Sequence, residues 1–298
     1  MKTSFQSILI YGLGLMGGSI AMSLKKKHFK GKITGILRTQ SSLEEAKSLN
    51  ITDELILEKK FLLDNRWNEF DFIIFALPID LTCSKIDLIP DDYTGLITDL
   101  GSTKKKIIEK VESKFSKVHN YLSSHPMTGS EHSGAKFGTD SLFEGKLCIL
   151  TSPNLVKETS KKTIDHFWQE LGSTTVEIEA KDHDEVLAYL SHSPHILSSL
   201  LAKWSYGNRK VMEYTESSPL SLTGGGFRDM TRIAGSNPEM WEAIITSNRT
   251  AIHRSLKEFQ ARLSELVDVF ELPESQSVGF WEKYFEEAKK SRNKILKQ

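Results

Sequence analysis

Residues 7–17 read SILIYGLGLMG. A short apolar run rich in β-formers ends in glycine, and a G-x-G-x-x-G follows at once, at Gly12, Gly14 and Gly17. From Met16 to about His28 the pattern turns amphipathic. The motif alone is weak, but a strand before it and a helix after it make the setting in which it binds a dinucleotide. The first glycine permits a tight turn, the second lets backbone approach a pyrophosphate, and the third lets helix pack on strand. Free N–H groups at the helix start then face the phosphates. Gly12, Leu13, Gly14, Leu15, Met16 and Gly17 are therefore the expected cofactor-binding turn.

Working outward, KITGIL (32–37), DFIIFALP (71–78), GLITDL (95–100), LCILT (147–151) and TTVEIEA (174–180) read as further short strands. Helical patterns lie between them, in SLEEAKSL, in TKKKIIEKVESKF and over about 155–171. Strands alternating with helices imply βαβ units and a parallel sheet. After Asp182 helix-period patterns dominate to the end, broken by glycines at Thr223–Gly226. The expected fold class is α/β: a Rossmann-type doubly wound, mainly parallel sheet over residues 1–180, then an all-helical dimerisation domain over 181–298. At the end of the second strand, GILRTQSS (35–42) has Leu37 where an NAD site usually carries an acid. Arg38, Thr39 and Ser41 follow, and a cation with hydroxyls suits a 2′-phosphate, which favours NADP over NAD. Leu77 and Pro78, closing the DFIIFALP run, complete the expected cofactor contacts.

Bulk composition bounds the partners. The 298 residues carry 39 Lys+Arg and 39 Asp+Glu, so no basic excess asks for nucleic acid. The runs Lys25–Lys27 and Lys104–Lys106 read as solvated helix faces. Two distant cysteines, Cys83 and Cys148, fit a reducing compartment without a disulfide framework. MKTSFQSILIYGLG has no cleavable signal pattern, and no apolar run is long enough to span a bilayer. A cytoplasmic chain with no membrane partner is expected. The long amphipathic helices of the second half carry more large apolar residues than a small domain hides, which points to a homodimer.

A dinucleotide fold names no reaction. Residues 123–138, SSHPMTGSEHSGAKFG, read as one loop, neither helix nor strand. That loop's HPMTGSEHSG (125–134), together with DLGSTK (99–104), LSHSPH (190–195) and GGGFRDMTRIAGSNPEMW (224–241), resembles the prephenate/arogenate dehydrogenase family in order and spacing. The resemblance spans nearly the whole chain. It implies oxidative decarboxylation of a cyclohexadienyl alcohol, with hydride passing to a nicotinamide and the ring becoming aromatic. The small-molecule substrate would be prephenate, or in a second reading arogenate.

By the same resemblance His125 is the base, Ser102 bonds the substrate hydroxyl and the base, and His195 acts from the opposite side. Arg232 holds a substrate carboxylate, and His192, Gly225 and Ser130 complete the substrate contacts. His192, Pro194 and His195 could instead form a helix kink with satisfied imidazoles. His132 reads as a surface residue. No metal is expected, because His183, His192 and His195 show no fourth ligand. Trp204, Tyr206, Trp241 and Trp281 read as core or subunit interface. Neither a chorismate mutase segment nor a regulatory βαββαβ module is expected. Two other classes remain in view: a β-hydroxyacid-type dehydrogenase, which should have a lysine where AYLSHSPHILSSL has histidines, and a dinucleotide-sensing module without catalysis.

Overall fold

The computed structural model describes residues 5–129, 132 and 134–297. Two compact units divide it, Met1–Ile252 and His253–Gln298. In the first, five parallel strands take the order β3-β2-β1-β4-β5: β1 Ser7–Tyr11, β2 Lys32–Leu37, β3 Glu54–Leu57, β4 Phe72–Phe75 and β5 Leu96–Asp99. A second sheet holds β6 Ser123–Pro126, β7 Leu147–Thr151 and β8 Thr174–Glu177, with β7 antiparallel to β6 and parallel to β8. A parallel pairing of Ile97 with Tyr121 joins the edge of the first sheet to the lead-in of the second.

Helices α1 Leu15–Lys26, α2 Gln40–Leu49, α3 Glu58–Asp64, α4 Ile79–Ile86, α5 Lys105–Lys114 and α6 Glu158–Glu170 connect these strands. The core follows the pleat. Ile8 and Ile10 of β1 join Phe72 and Ile74 of β4 in one apolar cluster, whereas Leu9, Tyr11, Ile73 and Phe75 join the other. A parallel sheet needs this, since crossover helices cover both its faces. The expected doubly wound, mainly parallel fold is what the chain adopts. β3, α3 and α4 were not anticipated; each is eight residues or shorter and shows too little of any period.

After β8 the chain is helical: α7 Ala180–Leu187, a π-helical turn Ala188–His192, α8 Ser193–Tyr206, α9 Arg209–Ser217, α10 Gly225–Thr231 and α11 Pro238–Ser247. The expected boundary at 180 falls inside the first unit, where α7 begins. Pro194, at the start of α8, has no N–H for the carbonyl four residues back, and the wide π turn accommodates that loss. The stretch 237–270 is two helices rather than one, parted at Asn248, with α12 Arg249–Val269 following. The second unit continues with α13 Glu274–Ser277 and α14 Phe280–Leu296.

Two sequence readings are corrected. Residues 123–126 are a strand, not part of a loop: His125 lies opposite Ile149 in the β6–β7 ladder. Proline is tolerated there because β6 is an edge strand of its sheet. Lys104 is not on a solvated face. It precedes the first turn of α5 and is fully buried, with Nζ 2.8 Å from Asp99 Oδ2, 2.9 Å from Ser123 Oγ and 2.6 Å from the Ser124 carbonyl. Asp99 is also fully buried and accepts from Gly101 N, the Tyr121 hydroxyl and the Ser123 hydroxyl.

A buried charge left without its partner is expensive, so Lys104→Met should lower unfolding free energy by about 3–5 kcal/mol in a denaturant titration. The double variant Asp99→Asn/Lys104→Met should recover part of that loss, since no lone charge remains.

Candidate active site

The carboxyl ends of β1, β2, β4 and β5 lie along one edge, and the strand order reverses between β1 and β4. Ligands of such sheets bind at this switch point. Gly12 turns there with φ +100°, a conformation that disfavours any side chain; a Cβ would also stand 2.5 Å from the Ala76 carbonyl. At Gly17 a Cβ would meet the Gly12 carbonyl at 2.0 Å, so helix and turn touch through backbone. A Cβ at Gly14 would meet nothing within 4 Å, and no side chain caps the start of α1. That leaves a free space faced by unpaired helix N–H groups, which fits a pyrophosphate.

The other expected cofactor residues gather round this turn. Leu77 packs beside Gly12, and Pro78 opens α4. Leu13 is buried against Gly35 of β2, Met16 packs on the core, and Leu15 is half-buried. At the end of β2, Arg38 and Ser41 are exposed, while Thr39 caps α2 by accepting from Ser42 N at 3.2 Å. Nearby Glu58 bonds the Tyr11 hydroxyl at 2.8 Å and Lys85 at 2.7 Å. Although burial opposes its ionisation, these two partners, with Arg38 at longer range, hold its carboxyl below the usual range.

Next along the edge stands His125, half-buried. Its Nδ1 lies 2.9 Å from Nε2 of His183, whose own Nδ1 lies 2.8 Å from Asp184 Oδ1. The Asp184 carboxylate also accepts the backbone N–H groups of Lys104 and Lys105, at 2.7 and 3.0 Å, where α5 begins. Burial pushes the His125 imidazole well below its ordinary range, and His183, Lys104 and His192 reinforce this. Burial lowers His183 as well, against the pull of Asp184.

His192 is 1% exposed, and its Nδ1 accepts from Asn248 Nδ2 at 3.1 Å. The same amide donates to the Asp184 carbonyl at 2.7 Å. His195 is half-buried, bonds the Ser191 carbonyl at 2.9 Å through Nδ1 and stacks on Trp241 with ring centroids 3.8 Å apart. Burial lowers its affinity for protons, as does Arg232 nearby. Arg232 is exposed and, among the described residues, pairs with neither Asp229 nor Glu239. The half-buried Ser102 sits in the turn after β5; among the described residues its hydroxyl makes no hydrogen bond. Gly225 opens α10 in open space. Ser130 lies outside the described residues. His132 is exposed, stacked on Phe137. Among the described residues no three metal-binding side chains converge.

Four participants escaped the sequence reading. In the sequence Lys104 reads as a surface charge, Asp184 carries no role, and His183 is weighed only as a metal ligand. Trp241 reads as core or interface, yet it flanks both His192 and His195 and keeps a buried indole N–H without an acceptor among the described residues. A usable signal was the spacing of Asp99 and Lys104 across a Gly-Ser turn; an amphipathic helix gives no reason to place both at one strand end.

Comparison with known proteins bears on the family. Residues 20–177 match the family model "Prephenate dehydrogenase, nucleotide-binding domain", and residues 179–286 match "Prephenate dehydrogenase, dimerization domain". A prephenate dehydrogenase of Lactococcus lactis is 35% identical over 96% of this chain and 77% of its own length. A cyclohexadienyl dehydrogenase of Zymomonas mobilis is 28% identical over 97% of this chain and 96% of its own. Among solved structures, prephenate dehydrogenase from Aquifex aeolicus, in complex with hydroxyphenyl propionate and NAD+, superposes with a TM-score of 0.84 at 29% identity, covering 99% of this chain and all of that one.

The buried imidazoles make stability depend on acid. His192 falls from 6.5 to about 4 because burial disfavours its charged form. Such a group binds a proton more readily in the unfolded chain, so its contribution is intact above about pH 6.5 and lost as pH falls towards 4. At about 1.4 kcal/mol per unit, His192 alone accounts for up to roughly 3 kcal/mol. Unfolding midpoints measured across that window should drop less in His192→Gln, whose amide oxygen can still accept from Asn248, than in the unaltered protein.

Proposed function

The chain belongs to the prephenate dehydrogenase family, and we propose that it converts prephenate to 4-hydroxyphenylpyruvate and CO2, with NADP as the preferred hydride acceptor. The observation that carries the reading is His125: an imidazole held neutral by burial, on the strand beyond the β5 edge of the sheet, with Nδ1 occupied by His183 and Nε2 left for substrate. Gly12, Gly14 and Gly17 with the start of α1 would hold the pyrophosphate, and Leu77 and Pro78 would flank the nicotinamide half. When bound, the dinucleotide supplies the acceptor for the hydride that leaves the ring carbon bearing the hydroxyl.

The chain's own residues handle the proton and the charges. His125 Nε2 takes the hydroxyl proton as the C–O bond becomes C=O. The ring carboxylate then departs as CO2, its bonding electrons pass through the ring to that oxygen, and His125 returns the proton to the resulting phenolate. The free energy of aromatisation makes the sequence downhill. Ser102, whose hydroxyl has no partner among the described residues, is available to bond the substrate oxygen. Arg232, unpaired among the described residues, is available to grip a carboxylate in two-pronged fashion. His195 presents Nε2 from its stack on Trp241, and with His192 and Gly225 as further substrate contacts it leans the reading towards prephenate.

The cofactor preference rests on Arg38, exposed and without a salt bridge among the described residues, where an acid would repel a 2′-phosphate. Assembly as a homodimer is supported by the dimerization-domain match and by an exposed stripe of Phe259, Leu263, Val267 and Phe270 on and just after α12. We place the work of the protein in the cytoplasm; no helix of the described residues is long and apolar enough to cross a membrane.

Purified protein tested with prephenate or arogenate, each with NAD or NADP, should reduce NADP fastest with prephenate. Turnover confined to arogenate, or to NAD, would replace that half of the assignment; no turnover with either substrate would reject it. Arg38→Ala should raise KM for NADP about tenfold or more, the loss of one charge-assisted contact, and leave KM for NAD unchanged. Light scattering should return twice the chain mass.

A further inference from the structure

The bonds around His125 continue inward through residues for which the reaction scheme gives no task. The Asp184 carboxylate accepts the Lys104 and Lys105 N–H groups and lies 2.8 Å from His183 Nδ1, and a carboxylate can only accept. The His183 Nδ1 therefore carries a proton. A neutral imidazole with a proton on Nδ1 has a bare Nε2, and that atom lies 2.9 Å from His125 Nδ1. His125 must then donate at Nδ1, which leaves the lone pair of its own Nε2 as the basic site. Three observations keep this order from reversing. His183 is fully buried and Asp184 nearly so, with water kept off both. The two amides at the start of α5 hold one side of the Asp184 carboxylate. Asn248 ties the Asp184 carbonyl on the other side, through an amide that also bonds His192.

We propose that His183 and Asp184 are positioning residues that fix the tautomer and ring orientation of His125, so that Nε2 always meets the substrate hydroxyl as an acceptor; this rests on His125 being the base. The arrangement places a second imidazole between carboxylate and base. When His125 Nε2 takes the proton, its Nδ1–H strengthens its bond to His183, and the ionised Asp184 steadies the charge through the intervening ring. No atom or electron is consumed in this, and the proton returns by the same Nε2. Among the described residues the titratable groups facing the pair are few: Lys104 and Asp99 from beneath, Asp184 from α7, and His192 from the π turn. Burial and Lys104 push both rings towards the neutral form, the state in which the tautomer matters, against the pull of Asp184 and Asp99 on His183.

Two measurements test the assignment. In unaltered protein with 15N-labelled histidine, two-bond 1H–15N spectra report which ring nitrogen of His125 is protonated, His125→Asn supplying the resonance assignment. The expected result is the Nδ1–H form; a dominant Nε2–H form would overturn the proposal without any variant of His183. In steady-state kinetics, His183→Phe removes the acceptor and should cut kcat about a hundredfold, the scale of a general base, with cofactor affinity intact and a mixed His125 tautomer. His183→Gln, whose amide oxygen can accept at the same place, should restore most of kcat. Undiminished kcat in His183→Phe, or equal losses in both variants with the tautomer unchanged, would reduce His183 to a packing role and overturn the proposal. If His125→Asn itself turns over at the unaltered rate, the base reading fails first, and this result is distinguishable from the others. Should His183→Phe not fold, the tautomer in unaltered protein decides alone.

Discussion

A lysine and an aspartate with no access to water sit at the end of β5, and the functional edge of the molecule is arranged around them. Removing two charges from water costs more than their attraction returns unless every donor and acceptor is met. Here they are met. Lys104 Nζ has three acceptors, in Asp99, Ser123 and Ser124, and Asp99 accepts from four donors. These partners come from β5, from the lead-in to β6 and from β6 itself, so the pair fixes the strand that carries His125 against the strand that precedes Ser102. The backbone N–H of the same lysine donates to the Asp184 carboxylate, from the first helix after the sheets. One residue thus holds the His125 strand with its side chain and the His183–Asp184 helix with its backbone.

Two demands meet along the same edge. The glycine turn needs backbone without side chains, so that phosphates can reach the start of α1. The chemistry needs a base in a fixed orientation, next to groups that anchor carboxylates. The fold separates the two tasks by a few strands: the proposed cofactor residues at the ends of β1, β2 and β4, the proposed base and its supports at β5, β6 and the helices after β8. A cation beneath the base and a buried imidazole beside it both disfavour a protonated His125, which suits a residue that must begin each turnover neutral.

Much of this was legible in the amino-acid sequence because it is local. SILIYG before GLGLMG, and β-rich runs alternating with helical ones, are short-range patterns, and they fixed the class of fold. The strand at SSHP was not legible: a histidine, a proline and two serines carry no β propensity, and the segment is a strand because β7 and the Lys104 network hold it there. Lys104 was misread for the same reason, since three consecutive lysines look alike until the burial of one is known. His183, Asp184, Asn248 and Trp241 lie 58 to 123 residues from His125 in the chain, and only packing brings them to it. The kink alternative for LSHSPH was sound physical reasoning: the π turn does precede Pro194, and both imidazoles there are hydrogen-bonded. Such bonds do not exclude a role in binding, for His195 keeps Nε2 free.

The central claim is that a neutral, buried His125 takes the proton. Its most direct test is the pH dependence of kcat/KM in the unaltered protein and in His125→Asn. The account predicts that activity of the unaltered protein persists below pH 6.5 and then falls with the uptake of one proton, and that this acid limb is missing from the small residual rate of the variant. An acid limb retained in His125→Asn, or one with its midpoint above 6.5 in the unaltered protein, would contradict it.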